Sequence, residues 1–401
     1  MMPRERSKRS SLFLGYVYMF LFSFRFSDAF WVIYLRSRGL SFAMVGVLET
    51  VFHLSSLLGE VPTGWIADHF GRKTSLVCGR ALAVLSATMA LLARSPAGFA
   101  LAFALGALGY TCHSGAYDAY LFDELKEAGN EGAFTRVMGA VNAVYLAGCS
   151  AAALCGGFVA ARALPLLYVC NIGVDLLAIL LLLPLHERPH AGRAERRRLD
   201  LGRDLRELLA ILRNRSLAGL MLLQAAAGTL VTSFYFYSQG YMREKLIPLT
   251  AIGAAGMLGN LAAVVPTWFS HRLEKRFGDR IPLYLGSALV PLIILAAGLL
   301  PSGPGIAWRG ALIALIVAVN VVFEVLYPLF AGAVNALVPS ERRATVLSSG
   351  GMLFSLMMMA VFPFIGWCGD RIGLAGAFVL TGGAALALGG AAAVVLRGRH
   401  E

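Results

Sequence analysis

The sequence predicts an all-α membrane protein: twelve transmembrane helices in two six-helix bundles, with both termini in the cytoplasm. Three observations carry this. Of 401 residues, 58% are hydrophobic and only 14% charged, whereas a soluble domain holds about 45–50% apolar and about 25% charged residues. Apolar runs recur along the whole chain at the roughly 20-residue length needed to cross a hydrocarbon core about 30 Å thick. One long basic segment, 186–215, then divides these runs into six and six. A soluble enzyme, a disordered chain and a secreted disulfide scaffold are excluded by the same figures.

The first run, 11–35, follows the basic arm MMPRERSKRSS. It is too long for a signal-peptide core of about 7–15 residues and is expected to be a retained span. The next five are 41–67, 74–93, 97–122, 134–160 and 163–185, completing an N-terminal bundle over 1–185. After the linker come 216–241, 249–270, 281–300, 307–335, 344–368 and 374–396, which form a C-terminal bundle over 216–401. Loops between spans are short. The 44 glycines suit close helix packing in lipid. All six cysteines lie in apolar stretches without CxxC spacing, so they read as small buried hydrophobes; no metal or other cofactor is expected.

Orientation follows from the basic residues. With the N-terminus inside, most of the 35 lysines and arginines fall on the cytoplasmic side, including Arg72, Lys73, Arg80 and Arg196-Arg197-Arg198 of the linker. Arg36, Arg38 and Arg371 are among the few placed outside. This asymmetry is the positive-inside pattern. It gives the net charge of +12 a partner in the anionic inner leaflet of a cell membrane and removes the need for a nucleic-acid partner. The halves also correspond weakly: Arg136 opens the fifth span and Arg343 the eleventh, while Asp123 ends the fourth where Asn335 nears the end of the tenth.

Between the second and third spans the chain reads Gly64-Trp-Ile-Ala-Asp68-His-Phe-Gly71-Arg72-Lys73. This matches the GxxxDxxGR[RK] signature, and the chain resembles the major facilitator superfamily, specifically its twelve-helix drug/proton antiporter-like branch. The resemblance implies two bundles rocking around a midplane site, a mechanism for which this superfamily is itself the type example. It further implies that Asp68 faces the start of the eleventh span and that Arg72 pairs an acid at the inner end of the fourth, Asp123 first and Asp118 second. Glu60, before Pro62, joins this gate. In the fifth span Gly139, Gly148, Gly156 and Gly157 follow the spacing of an antiporter pattern, with Ala152 and Ala153 in place of its Gly-Pro pair. The arginine that the antiporter pattern expects in the fourth span is absent; Thr111 stands there. Monomers are the family norm.

Ionisable residues inside spans cost about 2.5–3.5 kcal/mol each on insertion scales and are functional candidates. Arg25 and Asp28 lie three apart on the first span, Glu49 and His53 four apart on the second, Asp175 beside Asn171 on the sixth and Glu324 on the tenth. The resemblance lines a central cavity with spans one, four, seven and ten. There His113, Tyr117, Tyr235, Gln239, Asn320 and Tyr327 form polar and aromatic stripes. Arg25 and Asp28 are either a mutual pair that makes insertion tolerable or a proton-exchanging acid tuned by a cation. Glu324, with no charged residue within a turn, is a candidate proton carrier or counter-ion for a cationic ligand.

The expected function is secondary active transport of a small molecule with protons, foremost the export of amphipathic compounds. Uptake of a sugar, peptide or organic anion is the alternative, and Arg25 favours an anion. No Walker motif supports primary pumping. A membrane-embedded enzyme would need a catalytic set such as HExxH, which does not accompany Glu49 and His53. A non-transporting sensor would not need intact gate residues.

Overall fold

In lipid every backbone N–H and C=O must be satisfied within the segment, and an apolar run therefore folds as a helix. The computed structural model describes residues 3–127, 129–185, 214–262, 272, 275–276, 280–301, 305–339 and 343–397, and all its regular structure is helical. Most of the linker at 186–215 and the end of the eighth expected span lie outside the described residues. Among the described residues, seven helices are long and apolar enough to cross a membrane. The chain divides into two units, 1–34 with 51–199 and 35–50 with 200–401.

The first unit is built from α1 (Pro3–Ser23), α2 (Trp31–Ser37), α3 (Phe42–Phe70), α4 (Arg72–Leu92), α5 (Pro96–Glu127), α6 (Phe134–Arg162) and α7 (Leu166–Leu182), with a 3-10 turn at Glu131–Ala133. The start of α3 and the end of α2 belong to the second unit. The buried face of α4 is a stripe of small residues, Gly79, Ala83, Ala87 and Ala90. A Cβ on Gly79 would come within 2.8 Å of the Gly109 carbonyl oxygen, and one on Gly109 within 2.8 Å of the Gly79 carbonyl. Only glycine at both positions lets α4 and α5 approach this closely. The core beside them gathers Tyr18, Phe22, Tyr117, Leu121, Val141 and Leu182. Leu177, Leu180 and Leu183 of the α7 segment are exposed, as lipid-facing side chains should be.

The expected first span, 11–35, is not continuous. Helix geometry stops at Ser23 and resumes at Trp31. The intervening turn is hydrogen-bonded from outside the helix, with the Phe26 amide donating to Asn171 Oδ1 at 2.8 Å and Asn171 Nδ2 donating to Ser27 Oγ at 2.8 Å. Sequence periodicity could not show this, because the partner lies 145 residues away.

The second unit holds α8 (Arg215–Glu244), α9 (Leu249–Ala262), α10 (Arg280–Leu299), α11 (Ile306–Ala336) and α12 (Arg343–Arg397). Asn214 caps α8 by accepting from the Leu217 amide. The eleventh and twelfth expected spans both fall within α12, which is interrupted at Gly373, where φ is +74°. That left-handed conformation suits glycine and turns the chain back. Gly298 and Gly382 give α10 and α12 their close approach, since a Cβ on either would meet backbone of the other helix at 2.6–2.7 Å. Of the cysteines, Cys112 and Cys368 are buried, but Cys155 is exposed.

Candidate functional site

The break in the first span creates the most unusual side-chain group in the first unit. Arg25 Nε donates to Asp28 Oδ1 at 3.3 Å, with the two side chains 35% and 56% exposed. The turn that carries them is held on two sides. Asn171, itself buried, ties Phe26 and Ser27 to α7. On the α6 side, a Cβ at Gly156 would lie 2.7 Å from the Phe26 carbonyl oxygen, and one at Gly148 would overlap Ser23 Oγ. Two of the four antiporter-pattern glycines therefore have a packing reason here. Gly157 is buried, whereas a Cβ at Gly139 would meet nothing. Tyr145 on α6 and Tyr110 on α5 remain partly exposed.

A second charged pair was not expected. Arg80, assigned from sequence to the cytoplasmic set, is buried in the first unit, and its Nη1 donates to Asp175 Oδ1 at 2.9 Å. Its side chain is 1% exposed and that of Asp175 6%. The guanidinium also sits 4.5 Å above the Phe22 ring, a favourable cation–π contact. Around it, Tyr18 and His113 share a hydrogen bond at 3.0 Å, and His113 stacks on Phe22. Tyr117 donates to the Gly15 carbonyl at 2.9 Å. His113 and Tyr117 are thus buried core residues and do not line a wet surface. The signal for Arg80 was present, since it falls inside the expected span 74–93 opposite an unmatched Asp175.

In the GxxxDxxGR[RK] segment, Gly71 has φ +98° and makes the tight turn expected of it. Gly64 serves no close contact, because a Cβ there would meet nothing. Arg72 pairs with Asp68 at 3.3 Å, and among the described residues no ion pair joins it to Asp123. Lys73 donates to the Leu183 carbonyl at 2.8 Å, satisfying an orphan acceptor at the end of α7. Asp123 is half-buried, its neighbour Glu124 is buried and Glu60 is exposed. Sequence reasoning passed over Glu124, which the pitch of α5 turns inward. Glu49 and His53 are both buried.

In the second unit, Glu324 is half-buried and has no hydrogen bond or ion pair among the described residues. Asn320, one turn earlier, spends its amide on the Ile316 carbonyl at 3.0 Å. Tyr327, one turn later, is exposed, Tyr235 is half-buried and Gln239 is buried. Tyr327 and Glu324 therefore share an accessible face of α11, whereas Gln239 belongs to the interior.

Comparison with known proteins agrees with this architecture. The model of the Major Facilitator Superfamily matches residues 12–361. A relative in Bacillus subtilis (strain 168), the uncharacterized MFS-type transporter YxaM, is 29% identical over 91 residues, and that match spans 23% of this chain and 23% of the relative's length. Among solved structures, a mutant form of the nucleoside transporter NupG superposes with a TM-score of 0.80 at 12% identity, covering 95% of this chain and 98% of that one. A bacterial homologue of the human lysosomal transporter Spinster, in an inward-facing and occupied conformation, gives 0.73 at 15% identity over 98% and 96%. The peptide transporter POT in complex with sulfate gives 0.72 at 17% identity over 96% and 94%. At these identities the structures testify to the fold alone. With the family model matched across nearly the whole chain, on a helical fold with long apolar spans, the protein belongs to the Major Facilitator Superfamily of multi-pass membrane transporters.

Proposed function

We propose that the protein is a twelve-span, proton-coupled secondary transporter that exports small amphipathic molecules by alternating access, with both termini cytoplasmic. The observation that carries the reading is the Arg25–Asp28 pair, displayed half-exposed on a broken helix. A charged pair needed only to make insertion tolerable would be sealed. This one keeps part of each side chain exposed, which leaves a face for a solute to reach. Asp28 is the group that takes up and releases the proton, and Arg25 competes with that proton for the carboxylate. Glu324, without a partner among the described residues, is the second acid in the proton path. The outward direction rests on the aromatic, acid-bearing character of these surfaces.

Proton-coupled uptake is the second reading, favoured by one feature: the structure engages Arg25 through Nε alone, and a guanidinium fork suits a carboxylate or phosphate. The solved neighbours, among them a nucleoside transporter, a peptide transporter and a D-xylose–proton symporter, indicate how wide a solute range this fold accepts. A ligand-induced thermal-shift screen of purified protein, followed by counterflow in liposomes with the hits, identifies the solute. With a pH-sensitive dye inside the vesicles, Asp28→Asn is expected to abolish proton movement while counterflow of the hit persists. Solute flux with no accompanying proton movement in the wild type would overturn the coupling. Protons that move in the same direction as the solute, in place of against it, would overturn export and favour uptake.

A further inference from the structure

The beginning of α3 is held by residues far from it in sequence. Residues 35–50 pack with the second unit, whereas the rest of α3 packs with the first. A helix starts with amides that have no partner in the helix, and here the first three are all satisfied. The Phe42 and Ala43 amides donate to the two oxygens of Asp370 at 2.9 and 2.8 Å, and the Met44 amide donates to Ser41 Oγ at 3.2 Å. Asp370 lies on α12, more than 320 residues away. An anion at a helix N-terminus is also favoured by the helix dipole. Arg36 completes the group: it approaches Asp370 to 3.9 Å, donates to the Leu40 carbonyl at 2.8 Å and lies 4.1 Å from the Phe42 ring centroid.

The surfaces beneath this cap are cut to fit. The single hydroxyl hydrogen of Tyr237 on α8 is shared between the Phe362 and Phe42 carbonyls, at 3.0 and 3.2 Å. Thr50 donates to the Met359 carbonyl at 3.1 Å. A Cβ on Gly46 would overlap the Pro363 backbone, and one on Gly366 would overlap the Phe42 carbonyl. Glycine at both positions brings α3 and α12 into backbone contact. The ties across the Gly46–Gly366 seam are hydrogen bonds, an ion pair and glycine contacts, beside the buried ring of Phe42, set edge-on to Tyr237. Polar ties of this kind can exchange for water when exposed, so the seam can part without leaving a buried orphan.

We propose that Asp370 is a releasable cap: it latches the start of α3 to α12 in the present state and is given up when the transporter opens at the end bearing Arg36, Arg38 and Arg371. This rests on the alternating-access reading. Arg36 guides the carboxylate back onto the helix end, and Tyr237 sets the register of the closed seam. Asp370 provides the acceptors for the Phe42 and Ala43 amides, as Ser41 does for Met44, and among the described residues the next residue, Arg371, takes no part in the cap.

The test reads accessibility and needs no substrate. Val45, fully buried beside the cap, is replaced by cysteine in a background lacking the six native cysteines, and labelling by a maleimide is timed in detergent. Val141→Cys, buried in the first unit, reports general loosening. Asp370→Ala is expected to raise Val45→Cys labelling about tenfold and to leave Val141→Cys unchanged. Asp370→Asn, which keeps one acceptor, should fall between, and Arg371→Ala should match the wild type. Unchanged Val45→Cys labelling in Asp370→Ala, or an equal rise at both reporters, would overturn the latch. Because labelling requires no solute, absent flux in liposomes would sink the transport reading while leaving this result to stand.

Discussion

Arg80–Asp175 and Arg25–Asp28 are two guanidinium–carboxylate pairs of the same unit, and they differ in everything except chemistry. The first joins α4 to α7 across 95 residues and is almost completely buried. The second joins neighbours on one turn, at 3.3 Å, with more than half of the Asp28 side chain exposed. A buried pair whose members are both engaged cannot give up either one without leaving an uncompensated charge. A half-exposed pair is worth little to stability and can be opened by water, a proton or a solute. Burial, more than charge, separates the two pairs.

The contrast can be broken at its strong end first. Arg80→Ala should cost about 3–5 kcal/mol by stranding Asp175, read as a large fall in thermal unfolding temperature in detergent. Combining Arg80→Met with Asp175→Leu should restore most of that loss, because two apolar groups need no partner. A single variant as stable as the wild type would remove the sealed-pair reading. Next in size, Arg25→Ala and Asp28→Asn should leave the unfolding temperature near that of the wild type, within about 1 kcal/mol. Proton-coupled flux should nevertheless fall about tenfold or more, as when a hydrogen bond to a charged group is lost. Melting with retained flux would reverse the comparison.

Smaller effects sharpen the part played by the turn. Asn171→Leu strands the Phe26 amide and should cost about 1–3 kcal/mol. It should also lower flux, because the turn positions Arg25 and Asp28; unchanged flux would detach the break from transport. Last, Gly156→Ala pushes against the Phe26 carbonyl and should cost about 1–2 kcal/mol. Gly139→Ala, which would meet nothing, should stay within about 0.5 kcal/mol of the wild type. Equal effects of these two alanines would show that the glycine spacing of α6 does not serve the broken helix.

Much of the architecture was legible because hydropathy is a property of contiguous residues. The expected spans at 134–160, 216–241, 281–300 and 307–335 agree with α6, α8, α10 and α11 to within a few residues. The turn at Gly71 was legible for a similar reason, since a positive φ is a local demand that glycine meets. The site was less so. Arg25, Asp28 and Glu324 were visible as charges in apolar runs, and each remains accessible in the structure. His113 and Tyr117 were visible only as a polar stripe, and a stripe does not say whether it faces a cavity or a core. Here it faces Tyr18 and Phe22.

The family, the helical membrane fold and the short list of charges that have no place in lipid are all legible along the chain. Those follow from composition, span length and one contiguous motif, all of which are read along the chain. That Arg80 belongs to Asp175, that Asn171 holds a break in the first span, and that Asp370 caps a helix beginning at Phe42 became visible in three dimensions alone. Each of these joins residues between 95 and 328 positions apart. The reason is physical: a hydrogen bond or ion pair is fixed by distance in space, and the packing of small residues between helices sets that distance.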